Sequence, residues 1–307
     1  MKDLWVEKYR PTKVDEYVFK DQNQRSQVQN WITDGGIPHL LFSGSPGTGK
    51  TTLAKVLISE LNVEKADVLY INASRDNGVD MIRKRISAFS ETMPWGEFKV
   101  ILLDEADHIS PEGQAALRGV MEQYHASVRF ILTCNYPNMI IPALHSRCQG
   151  FHIEELDHTD FTVRVGEILA QNAVNFDIET LDAMVRANYP DLRKTINTVQ
   201  MSIVDNKLVM PDDGGSTSEW RLAMVELFRS GKIQDARKLI IKSARADEYN
   251  DIFTWLYKNL DLYTKNDFQY DSCVLAIREG MIKHTQVADP EINLSATMIE
   301  LARTLNE

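Results

Sequence analysis

Cysteines and paired metal ligands are scarce in this sequence. Three cysteines occur in 307 residues, and Cys134, Cys148 and Cys273 are far apart and form no CxxC pair. This spacing argues against a disulfide framework and against a structural zinc site. The seven histidines show neither an HExxH motif nor paired spacing, so they do not indicate a catalytic metal centre. We therefore expect small, reduced, buried cysteine side chains.

Long apolar runs and an excess of basic charge are missing as well. No run approaches the roughly 18 to 20 apolar residues that a membrane-spanning helix needs, and the chain is charged from residue 2 onward. We therefore expect a cytoplasmic protein with no membrane partner. With 34 basic and 44 acidic residues the net charge is −10, which disfavours a protein coated in nucleic acid. A local basic surface is still able to bind a phosphate backbone.

A glycine-rich turn follows the first clear strand pattern, in the stretch HLLFSGSPGTGKTTLAKVLISEL. Gly44, Gly49, Lys50 and Thr51 match the GxxxxGK[ST] pattern, with an apolar strand before it and a helical pattern after it. Such a turn directs consecutive backbone N–H groups at phosphate oxygens near a helix N-terminus. We predict that Lys50 binds the β and γ phosphates of ATP and that the Thr51 hydroxyl binds Mg²⁺. The predicted ATP contacts of this loop are Gly47, Thr48, Gly49, Lys50, Thr51 and Thr52.

Two acidic residues end a second apolar run, in KVILLDEADHIS. Residues 100–103 predict a buried parallel strand that delivers Asp104 and Glu105 to its carboxyl edge, where open α/β sheets bind ligands. On its own such a pair is more typical of a cap for the next helix. Beside the phosphate-binding loop, we predict that Asp104 holds Mg²⁺ through its water shell and that Glu105 orients and deprotonates the attacking water. Ser110 and Pro111 then predict the start of a helix.

A third strand pattern, VRFILTCNYP, ends at Asn135. An amide at this place is able to hydrogen-bond the γ phosphate or the attacking water, and we predict that role for Asn135. Without the neighbouring motifs, an asparagine shortly before Pro137 is typical of a turn.

The order of these motifs resembles that of the AAA+ ATPases, and within them the clamp-loader subunits. The resemblance rests on GSPGTGKT, LLDEAD, the strand that ends at Asn135, the triplet SRC and the later YPDLRKTINTV. WVEKYRP, IPHLLFSG and INAS are similar to stretches of replication factor C small subunits. YPDLRK and the short C-terminal region resemble the large ATPase subunit of T-even-type bacteriophage clamp loaders. The resemblance is strong through residues 1 to about 203 and weak beyond.

The resemblance implies an α/β P-loop AAA+ domain, with a parallel sheet flanked by helices, over residues 1–155. A small helical lid follows at 156–210 and an all-α collar for oligomerisation at 219–307. Between them, MPDDGGSTSEW has the composition of a linker, which we place at 211–218. Trp220, Met224, Leu227 and Phe228 precede a plausible helix stop. A second apolar helical pattern in the collar comprises Ile252, Phe253, Leu256, Tyr257 and Leu260.

Further site residues follow from the resemblance alone. Arg147 of SRC is expected to enter the ATP site of a neighbouring subunit, although an arginine near a strand end is more often a surface ion-pair partner. Arg193 is expected to fold the lid over the subunit's own nucleotide, from the first turn of a helix that begins near Pro190. That helix is predicted to bury Leu192, Ile196, Val199 and Ile203. The adenine and ribose are expected to lie along Val6, Glu7, Lys8, Tyr9 and Val18.

A basic cluster lies in DNGVDMIRKRISAFS. The helical spacing places four apolar residues on one face, namely Val79, Ile82, Ile86 and Phe89. Arg83, Lys84 and Arg85 fall elsewhere on the helix, where they predict contacts with DNA phosphates. A solvated helix surface is the alternative for each of them.

The function that these patterns predict is that of an ATP-driven clamp-loader motor, with an ATPase activity stimulated by clamp and DNA. Expected partners are four copies of the chain, a distinct small subunit, a ring-shaped sliding clamp and primer-template DNA bound without sequence preference. For a viral chain the place of action is the host cytoplasm. The alternatives are a hexameric AAA+ remodeller or helicase and a catalytically inactive nucleotide-binding subunit. A small-molecule kinase fits the first motif but not the later ones.

Overall fold

The computed structural model describes residues 4–75, 78–153, 156–209, 224, 227, 232–244, 249–284 and 286–306. The chain divides into two compact units, Met1–Met210 and Pro211–Glu307. The predicted linker at 211–218 lies outside the described residues, and the division of the first unit at residue 155 stays a prediction. None of the described helices is long and apolar enough to cross a membrane.

A five-stranded sheet forms the centre of the first unit. Its strands are β1 (Leu40–Ser43), β2 (Val68–Asn72), β3 (Lys99–Asp104), β4 (Val128–Cys134) and β5 (Gln149–His152). Their spatial order is β2-β3-β4-β1-β5, and every pairing is parallel. Because the carboxyl ends of parallel strands meet at one edge, the segments that follow β1, β3 and β4 lie together there.

The described part of the first unit contains ten α-helices, some of which cover the two faces of this sheet. They are α1 (Trp5–Lys8), α2 (Gln22–Thr33), α3 (Lys50–Glu60), α4 (Val79–Met81), α5 (Ser87–Glu91), α6 (Pro111–Gln123), α7 (Pro142–His145), α8 (His158–Gln171), α9 (Ile178–Asn188) and α10 (Leu192–Met201). A π-helical turn, Ile82–Ile86, joins α4 to α5. Leu53 of α3 packs in the core on one face, and Leu117 of α6 packs on the other. The predicted α/β architecture is confirmed.

Side chains cap the N-termini of α6, which follows the predicted site residues Asp104 and Glu105, and of α10, which contains Arg193. The Ser110 hydroxyl accepts from the amide of Gly113 and Pro111 is the first residue of α6, as predicted. Asp191 caps α10 by accepting from the amide of Lys194 at 2.8 Å. The helix predicted from about Pro190 is therefore confirmed.

The end of α10 corrects one expectation. Ile203, predicted on the buried face of that helix, lies instead in a two-residue strand, Ile203–Val204, which pairs with Lys207–Leu208. Asp205 and Asn206 connect the two strands with φ angles of 50° and 58°. Two consecutive positive φ angles are the geometry of a two-residue hairpin turn, which asparagine and aspartate tolerate. The helix therefore ends at Met201.

The described part of the second unit is helical, as predicted. It contains α11 (Ile233–Ser243), α12 (Tyr249–Lys258), α13 (Asp267–His284) and α14 (Pro290–Asn306). Phe253 and Leu256 are fully buried in its core. Tyr257, predicted on the same face, is 52% exposed, because it follows Leu256 directly and so projects about 100° away around the helix. Trp220 and Phe228 lie outside the described residues. The three cysteines are free, and Cys148 is only half-buried.

Candidate active site

The glycine-rich loop after β1 has the conformation of a phosphate cradle. Gly47 and Gly49 have φ angles of 78° and 94°, in the left-handed region that glycine adopts without steric cost. A Cβ atom at Gly47 would lie 1.9 Å from Oδ1 of Asp191, so no side chain fits there. Gly49 is the N-cap of α3, and the helix begins at Lys50. The loop and the first turn of α3 thus combine into an anion-binding site.

The ammonium group of Lys50 lies inside this loop. Its Nζ donates to the carbonyl oxygens of Gly44 and Ser45, each at 2.8 Å. Burial lowers the pKa of Lys50 to about 8, although the nearby carboxylates of Asp104 and Asp107 favour its charged form. Lys50 therefore binds a phosphate group most strongly when the lysine keeps its proton.

This pKa predicts a pH dependence of ATP binding. Lys50 is charged below pH 8 and neutral above it, so affinity is expected to fall above pH 8, by at most about tenfold per pH unit because one proton is linked to binding. The measurement is the Kd of a fluorescent ATP analogue between pH 7 and pH 9.5. The control is Lys50→Arg, whose guanidinium keeps its proton throughout. The same slope in both proteins would assign the pH dependence to another group.

Asp104 lies at the end of β3 and is 8% exposed. Its Oδ1 accepts from the hydroxyls of Thr51 and Thr133, each at 2.6 Å. Its Oδ2 accepts from the hydroxyl of Tyr70 at 2.9 Å. Hydroxyl and carboxylate oxygens are the donors that Mg²⁺ prefers, so the Thr51 and Asp104 pair fits the predicted metal ion.

Glu105 follows directly and has an unusual backbone. Its φ angle is 58°, in the left-handed region, which costs a non-glycine residue about 1–2 kcal/mol. Its amide donates to the Thr133 hydroxyl at 3.0 Å, so the same threonine binds both acidic residues. Strain of this kind is typical of functional sites. Glu105 lines the cleft beside the loop.

Asn135 is positioned by a buried acid. Oδ2 of Asp107, which is almost fully buried, accepts from the amides of Asn135 and Tyr136, each at 3.0 Å. These two bonds hold the turn after β4, and the Asn135 side chain lines the cleft. The segments after β1, β3 and β4 therefore converge as the sequence predicts.

The cleft has two ends, which adjoin each other at the glycine loop. Both ends are lined by Gly47, Gly49, Thr52 and Arg193. The polar end contains residues suited to phosphates and a metal ion: Lys50, Thr51, Asp104, Glu105, Thr133 and Asn135. The other end is more apolar and suits a purine base: Val6, Tyr9, Pro11, Tyr17, Val18, Leu192 and Ile196. This division matches the two ends of a nucleoside triphosphate.

Comparison with known proteins decides the family. Residues 40–154 match the model of the ATPase family associated with various cellular activities (AAA). Replication factor C small subunits are similar over almost the whole chain. That of Methanococcus vannielii is 34% identical, with 98% of this chain and 99% of the relative covered, and that of Thermofilum pendens is 33% identical, with 98% and 96% covered. The chain belongs to the replication factor C small-subunit family.

Solved structures add support for the fold alone. The RuvB Holliday junction branch migration motor of Thermotoga maritima has a TM-score of 0.56 at 14% identity and covers 72% of this chain and 79% of its own. The predicted membership of the AAA+ ATPases and the predicted similarity to replication factor C small subunits are both confirmed. This family member is an ATPase.

The two arginines predicted in this replication factor C relative occupy different places. Arg193 lies in the first turn of α10 and lines both ends of the cleft. Arg147 is not among the described residues that line the cleft. It lies just after α7, where it pairs with Glu122 of α6 and donates to the carbonyl of Ala143 at 2.8 Å. Arg193 thus lines the subunit's own cleft, whereas Arg147 is not among the described residues that do, and the nucleotide role of each stays a prediction.

The predicted adenine contacts are brought together only in part. Val6, Tyr9 and Val18 line the apolar end of the cleft. Glu7 and Lys8 are exposed and are not among its lining residues. Glu7 pairs with Arg10 at 2.7 Å, and the Lys8 ammonium lies over the Tyr9 ring. Their role beside adenine stays a prediction.

The predicted DNA residues lie on the helical segment between Val79 and Glu91. Lys84 and Arg85 are exposed, whereas Ile82 and Ile86 are fully buried. The side chain of Arg83 lies outside the described residues. All three basic positions fall in the π-helical turn, a conformation that is frequent at functional sites.

Several cleft residues were missed by reasoning from sequence. Thr133 lies within an apolar strand pattern, and its one signal is that it is the last hydroxyl before Asn135. Tyr70, which does not line the cleft but bonds to Asp104, gives no such signal. Arg164, Leu192 and Ile196 reach the base end from the segment after the sheet, far away in the chain.

Proposed function

We propose that this chain is an ATP-driven motor subunit of a sliding-clamp loader of the T-even bacteriophage type. ATP binding closes several copies into a spiral that opens a ring-shaped clamp and binds primer-template DNA. Hydrolysis at the subunit interfaces then releases the clamp closed around DNA in the cytoplasm, that of the host for a phage protein. The observation that carries the proposal is the cleft itself. Lys50, Thr51, Asp104 and Glu105 all line it in a chain related over its length to replication factor C small subunits.

The proposed chemistry assigns one task to each polar group of the cleft. The loop amides and Lys50 bind the phosphates, and Thr51 and Asp104 hold Mg²⁺. Bound Mg²⁺ neutralises charge on the phosphate oxygens. Glu105 accepts the proton of the attacking water, and the Asn135 amide orients that water or the γ phosphate. Arg193 contacts the phosphates from the lid.

The proposed assembly contains four copies of this chain and one distinct small subunit. Two features support assembly. Arg147 lies outside the cleft of its own subunit, as a residue that acts on a neighbour must. The second unit also exposes large apolar side chains on its last two described helices, namely Phe268, Leu275, Met281, Ile282, Ile292 and Ile299. Exposed large apolar side chains that form a patch are typical of subunit interfaces.

The proposed DNA surface reconciles nucleic-acid binding with a net charge of −10. Lys84 and Arg85 are exposed on one helical segment, so their charge is local. Lysine and arginine bind phosphates without reading base edges, which suits a protein that must act on any primer-template junction.

The proposed clamp surface is an exposed apolar loop before β3. Met93 and Trp95 are each 84% exposed. This loop enters β3 at its amino end, so it lies at the opposite edge of the sheet from the ATP cleft. Asp67, which is fully buried, accepts from the amides of Trp95 and Gly96, each at 2.8 Å. The loop is therefore held in place although its apolar side chains face solvent.

Steady-state ATP hydrolysis tests the proposal. Activity of the chain alone is expected to be low, and small subunit, clamp and primer-template DNA together are expected to raise it. Trp95→Ala is expected to raise the clamp concentration for half-maximal stimulation by about 30-fold, since a buried interface tryptophan commonly contributes 2 kcal/mol or more. DNA stimulation without clamp is expected to stay unchanged in this variant.

The matched control is Met201→Ala, which removes an equally exposed apolar side chain from the end of α10. A normal clamp response of Trp95→Ala would place the clamp elsewhere on the chain. A rate of ATP hydrolysis that changes with neither clamp nor DNA, together with a hexameric mass, would favour the remodeller or helicase instead.

A further inference from the structure

Tyr70 connects the edge strand of the sheet to the predicted metal site. It is the third residue of β2, and the parallel register pairs Tyr70 with Leu102 and Asn72 with Asp104. Alternate residues of a strand share a face, so Tyr70 lies on the face of the sheet that β3 uses for Leu102 and Asp104. From there its hydroxyl reaches Oδ2 of Asp104 at 2.9 Å.

Each oxygen of Asp104 has its own hydroxyl partners. Thr51 and Thr133 donate to Oδ1, and both line the cleft. Of the residues that the structure describes, Tyr70 is the one shown bonded to Oδ2. The bonds from Thr51 and Thr133 restrain Oδ1 only, whereas the orientation of the carboxylate plane about the Cβ–Cγ bond also depends on what binds Oδ2. The Tyr70 bond therefore fixes the plane of the Asp104 carboxylate.

The Tyr70 ring is itself held, so its hydroxyl has a defined position. The residue is 43% exposed, and the Lys55 ammonium of α3 lies 5.2 Å from the ring centroid. Such a cation–π contact holds the ring against α3. A phenol donates to a carboxylate oxygen, so Tyr70 is the donor and Asp104 the acceptor in this bond.

We propose that Tyr70 is a positioning residue, whose hydroxyl orients the Asp104 carboxylate for the Mg²⁺ that accompanies ATP. The inference rests on the proposed role of Asp104 in holding that ion. Residues that orient a metal-binding carboxylate commonly change metal affinity or activity about 10- to 100-fold when removed. The effect on binding of nucleotide without metal is expected to be small, because Tyr70 is not among the residues that line the cleft.

The test compares Mg²⁺ dependence in the purified full chain. A fluorescent ATP analogue is bound at a series of free Mg²⁺ concentrations and in EDTA. Tyr70→Phe keeps the ring and its contact with Lys55 but removes the hydroxyl. It is expected to raise the Mg²⁺ concentration for half-maximal binding by about tenfold, with unchanged affinity in EDTA and wild-type affinity restored at saturating Mg²⁺. Tyr257→Phe removes an exposed hydroxyl in the other compact unit and is expected to match wild type.

Asp104→Asn separates this inference from the proposed function. If Asp104→Asn abolishes the Mg²⁺ dependence while Tyr70→Phe leaves it at the wild-type value, the positioning role of Tyr70 is wrong and the site stands. If Asp104→Asn keeps the wild-type Mg²⁺ dependence, both the proposed metal site and the positioning role of Tyr70 are wrong. A Tyr70→Phe protein with weaker binding in EDTA, or with no recovery at high Mg²⁺, would show a general structural role and also overturn the inference.

Discussion

Replacing Glu105 by glutamine is expected to lower the rate of ATP hydrolysis by about 10²- to 10⁴-fold, the usual contribution of a positioned general base. Glutamine has the shape of glutamate and fills the same space, but it accepts no proton at neutral pH. The Glu105 amide keeps its bond to Thr133, because the substitution leaves the backbone unchanged. ATP affinity is therefore expected to stay close to that of wild type.

Two measurements on the assembled complex check this result. Single-turnover hydrolysis reports the chemical step, and a fluorescent ATP analogue reports binding. Glu64→Gln is the matched control, since Glu64 is exposed and lies before the amino end of β2, at the opposite edge of the sheet from Glu105. A variant that keeps more than a tenth of the wild-type rate would assign the base to another group. Loss of ATP binding would make Glu105 a binding residue instead.

The strand ends of the cleft were predictable because each combines a strong local pattern with a topological rule. Asp104 ends one largely apolar strand and Asn135 follows another, and the carboxyl ends of parallel strands meet at one edge. The cradle at Gly47 was predictable from glycine spacing alone. These residues could therefore be predicted without a three-dimensional structure.

The groups that orient the cleft were not predictable in the same way. Asp107 holds the turn at Asn135, and Tyr70 contacts Asp104, through approaches that depend on strand register. Sequence spacing carries no information on such pairs. Hydroxyls within an apolar run, such as that of Thr133, also look like ordinary strand residues until the sheet is assembled.

One wrong expectation, at Ile203, and one that stays a prediction, at Glu7 and Lys8, have simple geometric explanations. The predicted adenine contacts at residues 6–9 form a continuous run, but residues three apart share a face of a helix and adjacent ones do not. Val6 and Tyr9 therefore line the cleft, while Glu7 and Lys8 face solvent. At Ile203 the apolar periodicity continued beyond the end of α10, where the turn at Asp205 and Asn206 decides the structure.

Replacing Arg147 by alanine is expected to lower ATP hydrolysis by the complete assembly about 10³- to 10⁵-fold, the range found for arginines that act on a transferring phosphoryl group. ATP binding to the isolated chain is expected to stay unchanged, because Arg147 lies outside the described lining of its own cleft. In the free chain this side chain pairs with Glu122, an exposed contact of little energy that a neighbour's phosphates readily replace. Arg186→Ala is the control, since Arg186 is an exposed arginine that also pairs with a carboxylate, that of Asp182.

Mixing two inactive variants tests whether Arg147 acts on a neighbouring subunit. An Arg147→Ala chain keeps Glu105, and a Glu105→Gln chain keeps Arg147. In a head-to-tail assembly of equal amounts of both, about one interface in four joins an intact Glu105 site to an intact arginine from the next subunit. Hydrolysis is therefore expected to reappear in the mixture although each variant alone is inactive. If Arg147 acted within its own subunit, every chain in the mixture would still lack one essential group, and activity would not return.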